Sequence, residues 1–219
     1  MNNKMCKKTV IINRAVPGSG KTSITRCIVN SLSEAGYSCG IHSTDEFFME
    51  KGRYCFDIRK LNGFHQQNLK NFQDDVARGV DVVICDNTNL LPWQAAPYTE
   101  IARQAGYQII FINMTPRELA AHVRSQMVTP EKPDAHEVPE ACLKSFIDDF
   151  NNYNSLLLKG SAVAPFQHHF FWDEESLKPV ANGPACHFDS DYILTISPAE
   201  YHHAKNSIGG KIIDLLCFL

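Results

Sequence analysis

The chain has 219 residues, 44% hydrophobic and 21% charged, and a net charge of −3. That balance is ordinary for a globular protein and leaves room for one α/β domain with an appendage, or two small units. It excludes a broad electrostatic grip on a nucleic-acid backbone, though not a local basic cleft.

In chain order, the apolar run Thr9–Asn13 predicts a strand, followed by a glycine-rich turn and a helix from Lys21 to about Ala35 that stops at Gly36. Tyr37–Ser43 is the next strand. A long helix is expected over Ile58–Arg78, with Leu61, Phe64, Leu69, Phe72 and Val76 at helical spacing and Gly79 as its stop. Val80–Cys85 is a continuous apolar run, as for a parallel strand covered on both faces. A helix opened by Pro92 runs to about Gly106, a strand covers Tyr107–Asn113, and Pro116 opens a helix through about Gln126. Prolines 130, 133 and 139 bracket a connection to a last helix, about Pro139–Leu157. Beyond Gly160 the pattern loosens into extended pieces, Phe166–Trp172 and His187–Ile196, around the turn Asn182-Gly183-Pro184. Ser197-Pro198-Ala199-Glu200 then forms a capping box opening a short helix. Strand–helix alternation of this kind predicts an α/β fold with a doubly wound, mostly parallel sheet over residues 1–157, with 158–219 as a C-terminal extension. Ligands should sit at the carboxyl ends of the strands.

Lys4, Lys7 and Lys8 precede an apolar run too short for a signal-peptide core, and no later run is long enough to span a bilayer. The eight cysteines include no Cys-x-x-Cys pair, and Cys27, Cys39 and Cys85 fall in apolar patterns. A cytoplasmic protein with reduced thiols and no membrane partner is expected.

Residues 15–22, Ala-Val-Pro-Gly-Ser-Gly-Lys-Thr, carry the chemistry. Strand, glycine-rich turn and helix together make a phosphate-binding loop. Gly18 and Gly20 let the backbone turn its N–H groups inward, and the helix start adds its positive dipole end. Pro17, Gly18, Ser19, Gly20, Lys21, Thr22 and Ser23 are the expected nucleotide-binding residues. Lys21 can reach the β- and γ-phosphates, and Thr22 can ligate Mg²⁺. Ala15 stands where the consensus has its first glycine. Asp86, at the end of the third strand, has the place of the acid that orients the metal shell, followed by Asn87-Thr88-Asn89. Asp45, after the second strand, can accept a proton from an attacking hydroxyl; helix N-capping is compatible with that role, and Glu46 is the fallback.

Pro17-Gly18-Ser19-Gly20-Lys21-Thr22, then Ser43-Thr44-Asp45-Glu46-Phe47-Phe48, then Asp86-Asn87-Thr88-Asn89 resemble the kinase domain of the polynucleotide kinase-like P-loop family. Relatives of that family include the bacteriophage 5′-kinase, the kinase-like domain of myelin cyclic-nucleotide phosphodiesterase and the zeta toxins. Gly52-Arg53-Tyr54-Cys55-Phe56-Asp57 with Leu61 and His65, and His136-Glu137-Val138-Pro139, are most similar to the NEDD4-binding-protein branch. The resemblance covers about residues 7–155. It implies a nucleoside-monophosphate-kinase-like fold and transfer of the γ-phosphoryl group of ATP, with Mg²⁺, to a hydroxyl. Asp45 matches the general base, Lys21 and Thr22 the phosphate and metal contacts, and Asp86 the acid beside the metal. Two features depart from the family. The phage kinase's substrate-binding arginine is Phe48 here, and its lid Arg-Asn pair is His122-Val123, with Arg124 next. Arg124 is the expected lid arginine, Arg117 the second choice, and residues 124–138 the expected lid.

Arg53, Tyr54, His65, Asn87 and Asn89 are candidate acceptor contacts, although a lone histidine at His65 also suits a helix core. The acceptor is a nucleic-acid end or a small molecule. A zeta-toxin-type kinase of nucleosides or sugar nucleotides, and a nucleotide-gated module whose extension binds a protein partner, are the alternatives.

Overall fold

The computed structural model describes residues 6–130, 132, 134–154, 171–172, 179–180 and 188–217. All seven residues of β1 (Thr9–Ala15) are buried, as a strand paired on both edges and covered on both faces must be. It pairs in parallel with β5 (Val82–Cys85) and β6 (Gln108–Met114). With β2 (Cys39–His42) outside β5 and β9 (Tyr192–Ile196) outside β6, the order is β2-β5-β1-β6-β9, all parallel. Alternate side chains of β1 feed opposite layers. Ile11 and Ala15 pack with α1 (Lys21–Glu34) and α6 (Tyr201–Cys217), while Val10 and Ile12 pack with α2 (Ile58–Arg78) and α3 (Pro92–Gln104). This is the doubly wound α/β arrangement, and chain order reverses around β1, where the carboxyl ends leave a crevice for ligand.

Four further pieces surround that edge. A 3₁₀ turn, Thr44–Phe48, leads to the two-residue strands β3 (Met49–Glu50) and β4 (Arg53–Tyr54), which pair antiparallel. Helices α4 (Leu119–Ser125) and α5 (Glu140–Tyr153) pack over Val16 and Leu90 through Leu143 and Phe150. In the extension, β7 (Phe171–Trp172) pairs antiparallel with β8 (Pro179–Val180).

The observed elements differ from the sequence expectations in three places. β1 continues beyond Asn13, its expected last residue, through Arg14 to Ala15. Arg14 is fully buried, with its donors satisfied by the carbonyls of Leu90 (3.1 and 3.2 Å) and Phe150 (2.8 Å) and the amide oxygen of Asn113 (3.0 Å). Its guanidinium lies 4.0 Å from the Phe150 ring centroid, and burial pushes its pKa down to about 10. The helix expected from Pro116 begins at Leu119, leaving Thr115-Pro116-Arg117 as an arm off β6. The helix after the capping box is not short. It runs 17 residues and packs on α1, where a Cβ at Gly209 would collide with Ser31. The Ser197 hydroxyl does donate to Glu200 Oε2 (2.6 Å). Cys6, Cys27, Cys39, Cys55, Cys85 and Cys142 are free thiols. Residues 155–157, 166–170, 182–184 and 187 lie outside the described residues, as do positions 131 and 133 of the expected lid.

Candidate active site

The loop between β1 and α1 is shaped by two left-handed glycines, Gly18 (φ 83°) and Gly20 (φ 89°). Both are needed twice over, because a Cβ at Gly18 would meet Ser125 and Gln126, and one at Gly20 would meet Tyr201. Ala15 takes no positive φ and is fully buried as the last residue of β1, so the consensus glycine is not required there. Ser19 N–H donates to Val16 O (3.1 Å) and Ser23 N–H to Gly20 O (3.1 Å). The Ser19 hydroxyl and Arg117 Nε are buried without a partner. Unpaired buried donors beside a helix N-terminus are what a phosphate would satisfy.

Lys21 feels the charge of two carboxylates, Asp86 and Asp45. Its Nζ is 3.7 Å from Asp45 Oδ2. Burial pulls the ammonium down, but Asp86 and Asp45 outweigh it and hold the pKa above the ordinary lysine value. Asp86 is buried and accepts from Asn13 Nδ2 (2.7 Å), which also donates to Thr25 Oγ1 (2.7 Å). Thr22 is exposed on the first turn of α1. Asn13 was not anticipated as a support, although a polar residue inside an apolar strand must find partners.

Asp45 sits inside the 3₁₀ turn; its N-cap position belongs to Ser43. Tyr54 Oη donates to Asp45 Oδ1 (3.2 Å), and Nδ1 of His136 lies 3.8 Å from Oδ2. The turn is held from behind. Asn87 Oδ1 accepts from Thr44 N–H (2.9 Å), and the Thr44 hydroxyl meets His65 Nδ1 (2.9 Å). Burial pushes His65 below the usual histidine range. Asn87 and Asn68 both donate to the Tyr98 hydroxyl, at 3.2 and 2.9 Å. Two of the candidate acceptor contacts, His65 and Asn87, therefore brace Asp45. A third, Asn89, is buried with its amide committed to Asn13 O (2.8 Å), which puts it behind the cleft. Arg53 is exposed, and Tyr54 is half-buried against Asp45.

The arginines divide differently from expectation. Arg124 is exposed on α4. Arg117 reaches the loop and donates from Nη2 to Gly18 O. It is held there by His122, fully buried, whose Nε2 accepts from Arg117 N–H (3.0 Å) and whose Nδ1 donates to Pro17 O (2.9 Å). Burial lowers the His122 pKa, and the nearby Arg117 charge adds to that against the Pro17 bond. His122 is thus a brace between loop and arm. A cavity of about 300 Å³ opens between Gly18–Gly20, Arg117 and the β9–α6 turn with Ser197, Tyr201 and His202.

A family model described as an AAA domain matches residues 10–152. The chain belongs to this family. Human NEDD4-binding protein 2 is 32% identical over 102 residues, 47% of this chain and 6% of that much longer protein. A kinase candidate from Chloroflexus aurantiacus superposes with a TM-score of 0.55 at 12% identity, covering 95% of this chain and 98% of its own. Kti12 of Chaetomium thermophilum, solved with ADP-AlF3, superposes at 0.53 and 12%, covering 94% and 98%. At such identities the likeness is one of fold, here a kinase-like P-loop fold. Among the described residues, no helix is long and apolar enough to cross a membrane.

Proposed function

We propose that the chain transfers the γ-phosphoryl group of ATP to a hydroxyl acceptor, with Asp45 as general base. The observation that carries this is the Asp45 carboxylate 3.7 Å from Lys21 at the mouth of the phosphate-binding loop, with buried Asp86 also acting on that ammonium. The loop N–H groups, the Ser19 hydroxyl and Lys21 hold the phosphates, and the cavity beside Arg117 and Tyr201 has room for the base and ribose. Arg117, from its place on Gly18, supplies positive charge to the transferring group. Asp45 takes the acceptor's proton as the acceptor oxygen bonds to phosphorus and the bond to ADP breaks. No three metal-ligating side chains gather among the described residues. That suits Mg²⁺, which protein sites typically hold through one or two side chains plus phosphate and water. Thr22 and Asp86 would hold it, and it would neutralise the phosphate oxygens.

One feature favours an acceptor that carries a nucleobase, such as a nucleic-acid end, over a plain sugar. Phe56 is 53% exposed and its ring lies parallel to that of Tyr54, 14° between planes and 6.4 Å between centroids, beside exposed Arg53. Bases stack on such faces irrespective of sequence. Phe48 is buried in the same aromatic cluster, so it offers an acceptor phosphate no charge.

The test is labelled ATP with a 5′-hydroxyl oligonucleotide, nucleosides and sugars. Transfer is expected, falling roughly 10²–10⁴-fold in Asp45→Asn with ATP affinity retained. Lys21→Ala should weaken ATP binding in calorimetric titration. Wild-type turnover in Asp45→Asn overturns the base assignment, and no transfer to any acceptor leaves a nucleotide-gated protein-binding module instead.

A further inference from the structure

We propose that His136 positions the acceptor hydroxyl against Asp45, an inference that rests on Asp45 being the base. His136 belongs to the stretch between α4 and α5, yet its ring stacks on Tyr54 with centroids 3.8 Å apart and 14° between planes. Tyr54 in turn donates to Asp45 Oδ1, which leaves Oδ2 toward Lys21 and His136. The 3.8 Å from Nδ1 to Oδ2 is too long for a direct hydrogen bond. An oxygen set off that line can lie about 2.8 Å from both atoms at once, donating to the carboxylate and accepting from Nδ1–H. Two rings and a carboxylate thus frame one oxygen-sized place beside the lysine that holds the phosphates.

The backbone is bent to aim this residue. Glu137 takes φ 47°, a left-handed conformation that non-glycine residues seldom adopt, and its N–H donates to Gln126 O (3.1 Å), closing the stretch back onto α4. The surroundings keep the imidazole neutral. Burial lowers its pKa most, Lys21 and Lys132 push the same way, and Asp45 and Asp134 oppose them. Neutrality matters, because an imidazolium would pair with Asp45 and weaken it as a base. In the step itself the acceptor O–H proton passes to Asp45 Oδ2 and its oxygen bonds to the γ-phosphorus. The phosphorus–oxygen bond to ADP breaks with its electron pair, and His136 keeps its Nδ1 proton throughout.

The experiment compares His136→Phe, which keeps the stack and loses the donor, with His136→Gln, which keeps a donor and cannot ionise. Both are assayed on whichever of the three acceptor types the wild type phosphorylates. His136→Phe should lower kcat/KM for the acceptor roughly 10–100-fold with ATP affinity unchanged. His136→Gln should recover part of that and flatten the acid limb of the pH profile. Proton NMR of the His136 ring in wild type and Asp45→Asn supplies a readout apart from turnover, with a lower imidazole pKa expected when the carboxylate is removed. An unimpaired His136→Phe, or a His136 titration blind to Asp45→Asn, overturns the inference while an inactive Asp45→Asn leaves the base assignment standing. An active Asp45→Asn, or a wild type without any acceptor, removes the base assignment and this inference with it.

Discussion

A buried histidine with both nitrogens engaged is a rigid strut, and His122 uses its two to join Pro17 O to Arg117 N–H. The strut keeps Arg117 on the phosphate-binding loop, while Arg124, two residues beyond His122 on α4, is exposed. Arg117→Ala should therefore lower turnover roughly 10²–10³-fold, as removal of a charge-stabilising donor does, and Arg124→Ala should leave it near wild type. Steady-state kinetics on the pair decides, and the opposite ranking returns the lid role to Arg124. The loop residues and the two aspartates were legible in the sequence because their demands are local: glycine where φ is positive, an acid where a strand ends. His122 was not, since at that position a histidine in place of the family's arginine reads only as a loss. Its partners are five residues away at Arg117 and 105 away at Pro17.

Helices with strong end signals were legible too. α2 spans Ile58–Arg78 as expected, because Asp57 caps it by accepting from Arg59 N–H (3.0 Å) and Gly79 closes it in the left-handed region. The extension was harder. β9 is a half-buried edge strand without a clean alternation of apolar residues, and the family resemblance stops before it. Yet β9 supplies the fifth strand, and α6 lies close on α1 because Gly209 has no side chain: a Cβ there would collide with Ser31 and come 3.4 Å from Cys27 O. Gly209→Val should push α6 off α1 and cost about 1–3 kcal/mol, typical of overpacking, read as a lowered urea midpoint. It should also weaken ATP binding, because Tyr201 at the start of α6 approaches Gly20 O (3.4 Å). An unchanged midpoint would mean that the two helices are not coupled through this contact.

At the scale of the molecule, every proposed site residue stands at one edge of the sheet, as the alternation of strands and helices foretold. What it could not foretell is which stretches cross that edge and stack on one another, as Tyr54 and His136 do across 82 residues of chain. Packing the edge so closely buries ionisable groups, and four described histidines share one consequence. Burial depresses His42, His65, His122 and His136 below the ordinary value of 6.5, with Asp75 only partly offsetting it at His42. Above about pH 7 each is neutral in both folded and unfolded chains and favours neither. As pH falls through 6.5 the unfolded chain takes up protons that the folded histidines refuse, so stability is lost with acid, down to the depressed folded values. The urea midpoint should therefore be lower at pH 5.5 than at pH 7.5, before most carboxylates titrate. The drop should shrink in His122→Gln, which removes the most deeply buried of the four. A midpoint that is flat between those two pH values would mean that these imidazoles are charged in the folded protein. His122 Nε2 would then have no lone pair to accept from Arg117 N–H, and that end of the strut would be lost.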